Sequence, residues 1–244
     1  MIYLTGDTHK ALDISKVFDK TKHLNKNDYL IILGDFGLPF YNSDISDEIL
    51  ENPRMIKERE IYHSLIHQLS LLPFTILFID GNHDNHPFWY KQSVTELFGG
   101  KVQIHPHANN IYHLMRGEYY TIEGHTFFCM GGANTRDKSY RKLNFDYWKE
   151  EIPKQSEMIH GIRMLQMHNN KVDFVLTHCM PYSFIDPILH QTHHNNLATA
   201  YLDEINQSIT YHYWFCGHYH QDLNRPDYKF QIIYNNIVSL EDYL

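Results

Sequence analysis

Cysteine is scarce in this 244-residue chain, and the three present, Cys129, Cys179 and Cys216, form no CxxC pair. An odd, sparse count excludes a disulfide framework and predicts reduced thiols in a cytoplasmic protein. Positive charge is also short: with histidine neutral the net charge is -8. That argues against a broad duplex nucleic-acid footprint, which needs a cationic face. A small anionic substrate stays possible, because bound cations can reverse the local sign. No apolar run approaches the roughly 18–20 residues of a membrane helix. The first residues lack the charged region and cleavage site of a signal peptide. Linkers rich in Pro, Gly or Ser, internal repeats and low-complexity tracts are missing, which predicts one domain over 1–244. P-loop, GxSxG and GxGxxG signatures are missing as well.

What is present is an ordinary globular balance, 43% hydrophobic and 20% charged, together with 19 histidines. Five short apolar segments end in polar residues: "MIYLTGD" (1–7), "YLIILGD" (29–35), "FTILFIDGNHD" (74–84), "VDFVLTH" (172–178) and "YHYWFCGH" (211–218). Continuous apolar interiors suit strands covered on both faces. Helical stretches at 10–24, 47–72, 154–169 and 197–209 separate them, which implies an α/β architecture. The middle segments "IYHLM", "EYYTIEG" and "HTFFCMGGA", and the tail "YKFQIIYNNIVSL", predict a second, mostly antiparallel sheet packed on the first. Residues 134–153 have no clear period, and a loop of that length reads as a lid or substrate loop.

Every one of the five strands ends in metal-capable side chains. They are Asp7 and His9, then Asp35, then Asn82, His83 and Asp84, then His178, and last His218 and His220. Sites in open α/β sheets form beyond the carboxyl ends of strands, so residues more than 200 positions apart can converge. Extended residues i and i+2 share a side, roughly 6.5–7 Å apart, so Asp7/His9 and His218/His220 can each aim two donors at one place. A glycine precedes Asp7, Asp35, Asn82 and His218, permitting a sharp turn and close approach. Carboxylate, carboxamide and imidazole without thiolate suit Mn, Fe or Zn. The seven ligands other than His83 and Asp84 are too many for one ion and about right for two, with Asp35 shared.

The blocks "GDTH", "GDFG", "GNHD", "THCMP" and "GHYH", in that order from residue 5 to 220, resemble the calcineurin-like metallophosphoesterase family. The resemblance implies a two-sheet αββα sandwich, with mixed sheets and helices on the outer faces. It implies one metal held by Asp7, His9, Asp35 and His220, and a second held by Asp35, Asn82, His178 and His218. His83 resembles the family's catalytic histidine and Asp84 its orienting partner. "GDFGLPF" and "GNHD" depart from the pattern of Ser/Thr protein phosphatases, toward phosphodiesterase- or nucleotidase-like members.

Such a site would be expected to hydrolyse phosphoesters by in-line attack of a hydroxide shared between two cations, manganese being favoured, with His83 expected to protonate the leaving oxygen. Arg136 and Arg141 could clamp phosphate, since guanidinium forks match its oxygens. The expected substrate is a small phosphodiester or nucleotide. The rival functions are a phosphoprotein phosphatase and a non-catalytic scaffold of the same fold. His63 and His67 lack the glutamate of a zinc-binding HExxH helix, and "HQTHH" (190–194) reads as a solvated loop. Phe88, Trp89 and Tyr90 could wall the pocket, though core packing is commoner for aromatics.

Overall fold

A computed structural model of the chain describes residues 1–40, 53–190 and 195–244. Its first half runs β1 (Ile2–Thr5), α1 (Ser15–Lys20), β2 (Tyr29–Leu33), α2 (Pro53–Ser70), β3 (Thr75–Ile79) and α3 (His86–Trp89). Five strands follow: β4 (Val94–Leu97), β5 (Gly100–Ile104), β6 (Ile111–Leu114), β7 (Glu118–Ile122) and β8 (His125–Met130). The remainder is α4 (Gln155–Met167), β9 (Lys171–Thr177), α5 (Tyr182–Leu189), α6 (Leu197–Ser208), β10 (Thr210–Cys216), β11 (Leu223–Arg225), β12 (Phe230–Ile232) and β13 (Val238–Ser239).

The strands form a seven-stranded sheet, β13-β1-β2-β3-β6-β5-β4, and a six-stranded sheet, β11-β12-β10-β9-β8-β7. Both are mixed. β1, β2, β3 and β6 are parallel neighbours in the first. β8, β9, β10 and β12 are parallel neighbours in the second. This corrects the expectation of a mostly antiparallel second sheet. Strands read as one group are split: β9 and β10 lie in the second sheet, while β6 and β13 join the first.

Alternation along each strand explains the layers. Ile31, Leu33, Leu77 and Ile79 meet Phe127, Phe174, Leu176 and Phe215 between the sheets. Their neighbours Leu30, Ile32, Ile76 and Phe78 turn outward onto Val17, Ile66 and Leu69 of α1 and α2. On the far side Phe128, Val175 and Trp214 pack on Leu165, Ile185 and Leu202 of α4, α5 and α6. The result is helix, sheet, sheet, helix. Each fully buried Leu, Ile or Phe contributes about 1.5–3 kcal/mol, so the covered strand interiors are mostly apolar, and the polar side chains that the sequence singled out lie just beyond the strand ends.

The helix expected over 47–72 is described from Pro53, where proline's fixed φ suits a first turn; residues 47–52 lie outside the described residues. Only Ser15–Lys20 of the 10–24 stretch is α-helical. Residues 134–153 carry two short 3-10 turns, Lys138–Tyr140 and Lys149–Glu151.

Candidate metal centre

The parallel strands of both sheets end along one edge, and their loops meet there. Four of the polar side chains leave the strands on left-handed turns: His9 (φ 40°), Asp35 (φ 52°), His218 (φ 67°) and His220 (φ 50°). The i, i+2 pairs therefore converge by sharp turning, not by the extended alternation that the spacing suggested. Non-glycine residues in this region are strained and cluster at functional sites. Two glycines allow the closeness. A Cβ on Gly81 would stand 2.1 Å from Asp35 Oδ1, and one on Gly34, itself at φ +91°, would stand 2.1 Å from His178 Nδ1.

The centre is built around His178, which is fully buried. Its Nδ1–H donates to the Leu33 carbonyl at 2.7 Å. In a neutral ring Nε2 is then an acceptor. Two more acceptors face it, Asn82 Oδ1 at 3.2 Å and Asp35 Oδ1 at 3.3 Å. Three lone pairs pointed at one another repel unless a cation lies among them. The other oxygen of Asp35, Oδ2, is 3.3 Å from His9 Nε2, and Asp13 holds His9 Nδ1 at 2.7 Å. Asp7 accepts the His218 amide at 2.9 Å and lies 3.7 Å from His220 Nε2. Ligand atoms of Asp7, His9 and His220 all lie within 4.8 Å of one another, as do those of Asp7, Asp35 and His178. The donor set thus fits divalent cations, with one carboxylate turned to both sides.

The electrostatics carry the same demand for positive charge. Burial pushes the Asp7 carboxyl up to about 7, with the Asp35 charge adding to it. Burial opposes ionisation of Asp35 too, yet His178 and His83 hold it well below the usual carboxylate range. Burial disfavours charge on His178 and His9, but the carboxylates outweigh it and raise them to about 10 and about 9. Without a cation these shifts favour protons on the same groups, and cation binding would displace them.

His83 lies at the rim. Its amide donates to Asp35 Oδ1 at 2.7 Å, and its ring lines a cleft of about 640 Å³ with His9, Phe40, Arg141, His220 and Tyr234. Burial lowers its pKa, with Asp35 opposing and Arg141 adding to the fall. Asp84 was expected to orient that ring. Its two oxygens instead accept the amides of Gly37 at 2.7 Å and Gly81 at 2.6 Å, and it has no hydrogen bond to His83 among the described residues. It braces the two loops that carry Asp35 and Asn82. Arg136 and Arg141 line a second cleft of about 410 Å³ with Asp35, Asn82 and His218; Arg141 is also paired with Asp137 at 2.7 Å.

Nothing in the residue pattern pointed to Asp13, Phe40 or Tyr234 at this site, nor to Thr135, whose hydroxyl meets Asn82 Nδ2 at 3.1 Å, or Glu151 behind it. Aromatic walls were sought in Phe88, Trp89 and Tyr90. Trp89 is buried in the outer core and Phe88 packs against it, while Tyr90 is exposed. Of the histidine-rich "HQTHH" loop, 191–194 lie outside the described residues.

No curated protein matches the chain. Among solved structures, a candidate 5'-nucleotidase from Staphylococcus aureus, in complex with alpha-ketoglutarate, is 14% identical with a TM-score of 0.48. The alignment covers 96% of this chain, which spans about half (48%) of that structure. The sequence model described as calcineurin-like phosphoesterase matches residues 1–222, every converging side chain included. The chain belongs to the calcineurin-like phosphoesterase family.

Proposed function

We propose that this protein is a metal-dependent phosphoesterase acting on small phosphodiester or nucleotide-type substrates. The observation that carries this reading is Asp35, whose Oδ1 faces His178 and whose Oδ2 faces His9, each at 3.3 Å. Asp7, His9, Asp35 and His220 would hold one divalent ion; Asp35, Asn82, His178 and His218 would hold the other. When bound, such ions supply Lewis acidity, lowering the pKa of water toward neutrality and neutralising phosphoryl charge. With oxygen and nitrogen donors only, manganese, iron or zinc suits the set, manganese first.

The chain's own residues do the rest. Arg136 and Arg141 approach the phosphoryl group from the second cleft and fix it by guanidinium hydrogen bonds. His83 is the general acid and gives a proton to the leaving oxygen. An anionic phosphoryl group beside His83 offsets the unfavourable charge of Arg141 and favours the protonated ring. The clefts occupy one domain, 1–244, and residues 134–153 serve as its substrate loop. No described helix is long and apolar enough to cross a membrane. The three buried, unpaired thiols suit a reducing, cytoplasmic setting.

Turnover of bis(p-nitrophenyl) phosphate and p-nitrophenyl phosphate, measured before and after chelation and after Mn²⁺ is restored, tests the proposal. Diester hydrolysis that vanishes with chelator and returns with Mn²⁺ is expected. Activity indifferent to chelator would overturn metal dependence, and turnover of the monoester alone would favour a phosphatase.

A further inference from the structure

A carboxamide can offer a cation its oxygen or turn its NH₂ toward it, and only one choice binds. What fixes that choice at Asn82 lies outside the ligand set. Asn82 Nδ2 donates to Thr135 Oγ1 at 3.1 Å. Thr135 Oγ1 in turn donates to Glu151 Oε2 at 2.5 Å, and the Thr135 amide donates to Glu151 Oε1 at 3.0 Å. The Lys138 ammonium lies 2.7 Å from the same Oε1. Glu151 is 0% exposed and Thr135 is 2% exposed, so water does not compete for these bonds.

The direction of the relay follows from what each group can do. A carboxylate accepts and cannot donate. The Thr135 hydroxyl proton must therefore point at Glu151, and its lone pair is what remains for Asn82. A lone pair takes only the NH₂ end of the carboxamide, so Oδ1 is driven toward His178 and Asp35.

We propose that Thr135 and Glu151 are positioning residues that set the polarity of Asn82 and so build the second cation site. The same two residues tie the substrate loop to that site, since Arg136 follows Thr135 directly and lines the cleft beside Asn82. Glu151→Gln breaks the polarity: its NH₂ end can donate to the hydroxyl, which is then free to donate a hydrogen bond to Asn82 and invite the amide to turn over. Thr135→Val removes the hydroxyl, while Thr135→Ser keeps it.

The inference rests on the proposed role of Asn82 as a ligand, and direct metal titration separates the two. Metal-stripped parent protein titrated calorimetrically with Mn²⁺ is expected to take two ions. Glu151→Gln and Thr135→Val should keep one at parental affinity and take the other about 10–100-fold more weakly, the range for lost outer-shell partners. Thr135→Ser should match the parent. Parental affinity for both ions in Glu151→Gln and Thr135→Val would overturn the relay. A parent that takes fewer than two ions would overturn the two-metal reading, and the relay with it. Thermal unfolding of each variant without metal guards against misfolding. If Glu151→Gln does not fold, the Val/Ser contrast at 135 decides alone.

Discussion

His83 is anchored by its backbone amide rather than its ring, which leaves the imidazole free to face the cleft. A ring held this way can give up a proton without disturbing the ligand beside it. His83→Ala should lower kcat on alkyl phosphodiesters by about 10²–10⁴-fold, the usual contribution of a general acid. It should largely spare p-nitrophenyl esters, whose leaving group departs without a proton. Equal losses on both ester classes in steady-state assays would remove the acid role. The convergence of the candidate ligands was readable at this scale because donor chemistry belongs to the residue type and each donor follows a strand. Thr135 and Glu151 were not: a threonine and a glutamate in an aperiodic stretch bear no mark of a partner 53 positions away.

The end of β3 is tied to the β6–β7 crossover, where the chain leaves one sheet for the other. Asp80, just past β3, accepts from Arg116 Nε at 2.9 Å and from His113 Nε2 at 3.0 Å, and its carbonyl accepts the Gly132 amide beyond β8 at 2.8 Å. All this is buried beneath the ligand loops. Removing one partner of a buried pair costs about 3–5 kcal/mol, because the other charge is left unmatched. Arg116→Met should show a loss of that size in chemical denaturation; a change under 1 kcal/mol would mean that the pair is dispensable. Burial would raise the Asp80 carboxyl, but Arg116 and His113 hold it well below the carboxylate range. A depressed native pKa adds stability that is complete above the unfolded value, about 3.9, and is lost as pH falls below it. The parent should weaken below about pH 4 more steeply than Asp80→Asn. Element types were largely legible in the sequence, but their partners were not. Strands of both sheets share one apolar signature, so nothing local says which sheet receives them. β4 was missed because its residues are mostly exposed and it has no apolar run. α5 was missed because Pro187 lies inside it.

At the scale of the molecule, the two sheets divide the ligand chemistry. Loops of the first sheet bring every candidate oxygen ligand, Asp7, Asp35 and Asn82, together with His9. Loops of the second bring three imidazoles, His178, His218 and His220. A cation bound between them would join the sheets at one edge, and binding to the folded state alone stabilises it. At Mn²⁺ 100-fold above the dissociation constant, each site should add about 2.7 kcal/mol to the unfolding free energy. Denaturation curves with Mn²⁺ and with chelator test this; superimposable curves would exclude a cation shared between the sheets. The same division sets an order of events during synthesis. A nascent chain released only as far as β8 already displays its hard, oxygen-rich half and one imidazole. The nitrogen-rich half emerges last, so the finished pocket cannot precede the arrival of residue 220, and ions captured earlier would be held by an incomplete grip.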